Sequence, residues 1–198
     1  MVLNKKSMIS LILALVIAAS SYYYFAVYNS FRVVSMSADY VGYSSADELY
    51  SGAELVVIGR PTEDFEDREM HIVQYSTGAI QDYYTLTDID IERIVKGPTE
   101  IKDLQVIEPL AIIQDIQGKT KLTTEDYTEM KKNKEYLIFL RKNTFGQYCV
   151  INMQSGKFNL DQTDPSDFYS DSKTESESIK EHKNQKERIF NEIKAKYL

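Results

Sequence analysis

From residue 8 to residue 28 the chain runs Met-Ile-Ser-Leu-Ile-Leu-Ala-Leu-Val-Ile-Ala-Ala-Ser-Ser-Tyr-Tyr-Tyr-Phe-Ala-Val-Tyr without a single charge. At roughly 1.5 Å rise per residue such a run makes a helix of about 31 Å, close to the hydrocarbon thickness of a bilayer. Nothing on it is polar enough to form the water-facing side of a soluble helix. Lys5 and Lys6 precede it, and Tyr22, Tyr23, Tyr24 and Tyr28 gather at its far end, where amphipathic rings favour the headgroup layer. The pattern predicts a single-pass anchor in the cell membrane at 8–28, with residues 1–7 cytoplasmic and the bulk of the chain outside. The competing reading is a cleavable secretory signal, with 8–17 as its apolar run and Ala18-Ala19-Ser20 as its peptidase site. Apolar residues continue well past that site, which favours the uncleaved anchor.

Beyond the anchor the periodicity changes from helical to alternating. Residues 29–43 read as a linker, in which Val33 and Val34 start an extended segment. Ser45-Ala-Asp-Glu48 fits a capping box and predicts a short helix that Gly52 closes. Glu54-Leu-Val-Val-Ile58 is a compact β-favouring run stopped by Gly59 and Pro61. A second strand is expected over 70–75. Over 83–95 a long alternation puts Thr87, Ile89, Ile91, Arg93 and Val95 on one face and Leu86, Asp88, Asp90, Glu92 and Ile94 on the other. Further strands are expected at 103–108, 136–140 and 148–152, with a helical turn or short helix over 124–130 capped by Thr123 or Thr124. The reading is mainly β: a small antiparallel OB-like barrel with short helices over 44–160. A polar loop follows at 161–174. A charged C-terminal helix at 175–198 carries Ile179, Ile189, Phe190, Ile193 and Tyr197 as a thin apolar stripe.

The order of the capped helix, "SGAELVVIGR", a long strand ending "IDIERIVKGP", "LQVIEP" and "NKEYLIFLR" resembles the netrin-like domains, which include the tissue inhibitors of metalloproteinases. The likeness covers about residues 44–160 and is strongest at 53–60, 89–97 and 135–140. It implies a cysteine-free bacterial relative with an OB-type barrel, since its motifs are core strands and turns that report on fold. The animal inhibitors chelate zinc through an N-terminal cysteine and carry several disulfides, whereas this chain has an apolar N-terminal segment and one cysteine, so metalloproteinase inhibition is not implied.

Charge narrows the partners. The formal net charge is −7, and without Lys5 and Lys6 the chain holds 21 basic against 30 acidic residues. A field of that sign repels phosphate backbones and anionic headgroups, and no local basic face is visible in the sequence, so nucleic acid is not expected. With Cys149 alone there is no intrachain disulfide and no cysteine-based zinc pattern. Richness in Lys, Ile, Glu, Asn and Tyr without tryptophan points to a low-GC Gram-positive bacterium.

Candidate chemistry is sparse. Glu63, Asp64, Glu66, Asp67 and Glu69 form an acidic loop that is either a hydrated segment or a weak cation or basic-partner site. Asp88, Asp90 and Glu92 project from one strand face but lack the glycine turn of a calcium loop. His71 and His182 have no ligand spacing between them. Cys149 lies in an apolar strand, where a thiol behaves as a small hydrophobe. No Gly-x-Ser-x-Gly, P-loop, Ser-x-x-Lys or His-Glu-x-x-His is present. The 15 tyrosines suit a small core and a membrane belt, or else a platform for a wall glycan. The expectation is a non-enzymatic extracytoplasmic domain, without cofactor, that binds another cell-envelope protein; the alternative is a cation- or glycan-binding sensor or carrier.

Overall fold

Two strands, β2 (Leu55–Pro61) and β8 (Tyr136–Lys142), read as unbroken apolar runs because both of their faces are covered. A computed structural model describes residues 4–125, 127–167 and 177–198, apart from the side chains of 177–180 and 182. Leu55 and Val57 of β2 and Tyr136, Ile138 and Leu140 of β8 point into one core, with Ile89, Leu104, Val106 and Val150. Val56, Ile58, Leu137 and Phe139 point the other way, into a second core made with Leu49, Phe158, Ile189, Phe190 and Ile193. Alternation by two along a strand makes that split unavoidable once both faces are packed.

The first core fills a small five-stranded barrel. β2 pairs with β8 and with β4 (Ile80–Lys96), β4 with β5 (Leu104–Glu108), and β9 (Tyr148–Val150) closes the ring between β5 and β8. Numbered by chain order, the ring strands run 1-2-3-5-4-1. Four seams are antiparallel as expected; the β5–β9 seam is parallel, so the barrel is mixed. β3 (Glu69–Gln74) extends the sheet beside β4, and β10 (Lys157–Asn159) beside β8. The strand at 157–159 falls where the sequence pattern fades.

β4 corrects the expected alternation. Through Thr85, Thr87 and Ile89 the odd positions are buried, but Ile58 pairs with Arg93 and Gly59 with Ile91, so Glu92 bulges out. A second irregularity lies opposite Val56 and Val57. The bulges shift the phase by one: Ile94 packs with Ile91 in the barrel core, Val95 joins the second core, and Arg93 faces solvent. Gly59 sits at this crossing, where a Cβ would lie 2.6 Å from the Asp90 carbonyl oxygen.

The helix α2 (Ala46–Gly52) starts as the capping box requires. Ser45 Oγ accepts from the Glu48 N–H at 3.3 Å, while the Glu48 carboxylate reaches one residue further back, to Ser44 N–H and Oγ at 2.9 Å each. The helix α3 (Glu177–Tyr197) docks on the second core through Ile189, Phe190 and Ile193, with Phe190 stacked on Phe158 at 5.4 Å. Tyr197 stacks on Tyr50 of α2 at 4.3 Å. The side chain of Ile179 and the stretch 168–176 of the expected loop and helix lie outside the described residues. The expected short helix over 124–130 does not form. Its described part is drawn into the barrel, where Tyr127 and Met130 are buried.

The chain divides into two compact units, one of residues 1–34 and 112–122, the other of 35–111 and 123–198. The first contains α1 (Lys5–Tyr22), which continues as a π-helix through Tyr28. Over Lys5–Tyr28 it is 24 residues, long and apolar enough to cross a membrane, and the apolar window is not buried against protein. Strand β1 (Phe31–Met36) arises inside the expected linker, and with β6 (Leu110–Asp115) and β7 (Gly118–Thr124) it makes a three-stranded sheet in the order β1-β7-β6. β6 and β7 are two strands the sequence pattern does not announce.

Because Phe190 is 4% exposed between Phe158 and the sheet, Phe190→Ala is expected to lower stability by about 3–5 kcal/mol. Urea unfolding followed by circular dichroism checks it; a change below about 1 kcal/mol would mean that α3 does not pack as described.

Candidate functional site

Chemistry-bearing groups concentrate in two places: a charged cluster buried at one end of the barrel, and the outer face of β3, β4, β5 and β9. The cluster begins with Arg68, the one cation in the acidic loop. Its side chain turns inward from the short helical turn Phe65–Asp67 and reaches Glu108 on β5, Nη1 to Oε1 at 2.8 Å, with both side chains buried. Every guanidinium edge has a partner: Thr87 Oγ1 at 3.2 Å, the Met130 carbonyl at 2.6 Å, and the Glu63 carbonyl at 2.9 and 3.1 Å. Glu108 also accepts from Thr87 Oγ1 at 2.6 Å, Tyr127 OH at 3.0 Å and the Met130 N–H at 2.9 Å. A buried ion pair is tolerated when its remaining donors and acceptors are saturated in this way.

A second part of the cluster centres on Asp167. Its Oδ1 accepts from Lys157 Nζ and Lys186 Nζ, each at 2.9 Å, and its Oδ2 from the Asn159 N–H at 2.8 Å. Asp164 accepts from Tyr136 OH at 2.5 Å and from Ser166 Oγ at 2.5 Å. Lys157 Nζ lies 5.2 Å from the Tyr127 ring centroid and 5.4 Å from that of Tyr136, so its charge joins the two halves through aromatic faces. Three cations thus meet three carboxylates. Burial holds Lys186 down at about 8, helped by the charge of Lys157 and opposed by Asp167. Burial also raises Tyr127 and Tyr136, and neighbouring carboxylates add to the rise. Against the opposing effect of its burial, the charges of Lys157 and Lys186 keep Asp167 below the usual carboxylate range. A groove of about 420 Å³ lined by Asp164, Glu187, Phe190 and Lys194 lies alongside.

The outer face is built by register. Leu86 stands opposite Glu69 on one side and Ile107 on the other; Ile107 pairs with Cys149, and Cys149 with Arg141. The resulting row, Glu69–Leu86–Ile107–Cys149–Arg141, has three half-buried apolar side chains between opposite charges. Beside it, the His71 ring stacks on Tyr84 at 4.8 Å, and Asp88 accepts from Gln105 at 3.1 Å.

The acidic loop is shaped by Arg68, and its carboxylates turn outward. Asp64 lies 3.3 Å from Lys132, and Glu69 Oε1 is 2.8 Å from His71 Nε2 but off the hydrogen-bond axis. Glu63, Asp64, Glu66, Asp67 and Glu69 are exposed, and among the described residues no three His, Cys, Asp or Glu side chains converge to hold a metal. Asp88, Asp90 and Glu92 are likewise spread along β4, Glu92 pairing with Arg60 at 3.2 Å. Strands β4 and β5 separate His71 from Cys149, about 14 Å along the sheet at 4.7–4.9 Å per strand, so the two do not form a pair. Burial pushes the Cys149 thiol up, away from thiolate character. The side chain of His182 lies outside the described residues. Tyr83, Tyr127 and Tyr136 are core residues, whereas Tyr22, Tyr23 and Tyr24 are exposed on the N-terminal helix.

Sequence reasoning missed Arg68, Glu108, Lys157, Asp167 and Lys186. Only the lone Arg68 among five carboxylates offers a local signal. Comparison with protein-family models and with curated proteins gives no match to this chain.

Two outcomes follow. Glu108→Gln leaves the Arg68 charge buried without its counter-ion and is expected to cost about 3–5 kcal/mol in urea unfolding; a near-neutral result would show that water reaches Arg68. Between pH 8 and about 10 the unfolded chain holds a proton that folded Lys186 has lost, so stability should rise with pH across this window. Above it, stability should fall, since Tyr127 and Tyr136 ionise only once unfolded. Melting temperatures of Lys186→Met should lack the rise; an unchanged pH profile would rule out Lys186 as its source.

Proposed function

We propose that this chain is a membrane-anchored, non-enzymatic extracytoplasmic domain whose barrel binds another cell-envelope protein, with the N-terminus cytoplasmic and 8–28 spanning the membrane. The observation that carries this reading is the outer row of Leu86, Ile107 and Cys149 between Glu69 and Arg141, set on a barrel whose buried charges are saturated by one another. The row lies on the second and third ring strands, the face through which OB-type barrels take elongated ligands. The ring order and the position of 53–60, 89–97 and 135–140 on β2, β4 and β8 support a netrin-like relation. The apolar stripe of α3 is consumed by docking, which favours the sheet over the helix as the contact surface.

In-cell crosslinking of the full-length chain tests the reading. One dominant envelope protein should be recovered, and lost when Leu86→Asp and Ile107→Asp are introduced together in a variant that still melts cooperatively. Recovery that survives those changes but fails with Glu187→Lys would move the contact to α3; recovery of no protein at any crosslinker length would sink the reading.

A further inference from the structure

The helix and the β6–β7 hairpin are tied together at the far end of the apolar segment. Tyr23 OH donates to the Ile116 carbonyl at 2.8 Å, Gln114 Nε2 donates to the Tyr28 carbonyl at 3.1 Å, Ser30 Oγ donates to the Gln117 carbonyl at 3.2 Å, and the Lys119 N–H donates to Ser30 at 2.8 Å. Gly118, at φ +121°, passes so close that a Cβ would lie 2.8 Å from the Val27 carbonyl oxygen. Tyr23 stands five residues before the end of the helix at Tyr28, about one π-helical turn deeper along its axis. The hairpin tip therefore folds back along the helix instead of pointing away from it.

Two further features suit this tip to lipid. Ile116 is 77% exposed at the turn, and on the same unit Phe25 and Phe31 are 73% and 52% exposed. The same end of the unit carries Arg32 on β1. Exposed apolar side chains beside an arginine and a cluster of tyrosines make the composition of a segment that lies in a bilayer interface. An arginine stem can run along the acyl boundary while its guanidinium stays among phosphates.

We propose that the β6–β7 hairpin tip, with Ile116 at its apex, inserts into the outer interfacial layer of an anionic bilayer, with Arg32 facing lipid phosphates. This rests on the reading of 8–28 as a membrane anchor. It makes the first unit a seated foot, in which the segment after the helix is held against the membrane by its own sheet.

The chain has no tryptophan, so Ile116→Trp and Leu13→Trp each give a single reporter. The full-length protein is placed in vesicles of equal parts phosphatidylcholine and phosphatidylglycerol, brominated either near the top of the acyl chains or near their ends. The Ile116→Trp protein should lose about half its emission to upper-chain bromines and less to deep ones, as for a ring about 5–10 Å below the headgroups. Leu13→Trp should show the reverse order. Quenching of Leu13→Trp without quenching of Ile116→Trp overturns the hairpin proposal and leaves the anchor standing. If neither is quenched, the anchor reading falls and the proposal with it. Adding Arg32→Glu to Ile116→Trp should weaken quenching in the anionic vesicles and not in pure phosphatidylcholine; equal quenching in both would overturn the role given to Arg32.

Discussion

Burial of β2 and β8 on both faces is the constraint from which the rest of the second unit follows. Leu55, Val57, Ile138 and Leu140 need a barrel interior, and Val56, Ile58, Leu137 and Phe139 need a separate cover. A closed five-stranded ring supplies the first, and α2 and α3 supply the second. Hence the C-terminal helix is part of the fold. Its Ile189, Phe190 and Ile193 leave water only by meeting Phe139 and Phe158, and removing them would expose the outer faces of two central strands. The bulge at Glu92 serves the same constraint, since β4 must bend around the ring and trade one core for the other within a few residues.

The ring leaves one end where backbone from 62–68 and 123–130 crosses, and backbone groups there need partners. Arg68 and Glu108 provide them: the guanidinium takes the Glu63 and Met130 carbonyls, and the carboxylate takes the Met130 N–H. The pair therefore organises two loops at once. Lys157, Lys186 and Asp167 extend this polar plug to β10 and α3, so the charged cluster joins both cores. These groups are committed to one another, and the proposed function therefore rests on the outward row on β4, β5 and β9.

The barrel was legible because its strands carry their own signals: compact β-branched runs at 55–58 and 136–140, a long alternation over 83–95, and glycine or proline stops at Gly59, Pro61 and Gly97. Strand β7 was not, because Lys and Thr interrupt its apolar residues and its partner β1 lies about 87 residues away, as in the Ser30–Gln117 contact; β6, although it opens on Leu-Ala-Ile-Ile, is held in its sheet through β7. Residues 124–130 look helical locally, yet Thr123 Oγ1 bonded to the Tyr127 carbonyl and the Met130 N–H bonded to Glu108 give that backbone better partners in the barrel. The buried cluster was invisible for a related reason. A charged residue in a polar stretch reads as solvated, and only the fold reveals that Lys157, Asp167 and Lys186 have left water together.

Net charge, too, is a sum over the whole chain. An acidic chain is expected to avoid anionic surfaces, and along the sequence Arg32 stands far from Lys119 and Lys121. Pairing of β1 with β7 sets these cations on adjacent strands, next to the helix end that carries Tyr23 and Tyr28. Electrostatic interactions in salt water reach only about 8–10 Å, so a surface at that end would sense the charges within that range, Asp115 among them, and not the sum over the chain. The sign that matters for membrane contact is therefore local, and it is set by which strands the topology makes neighbours.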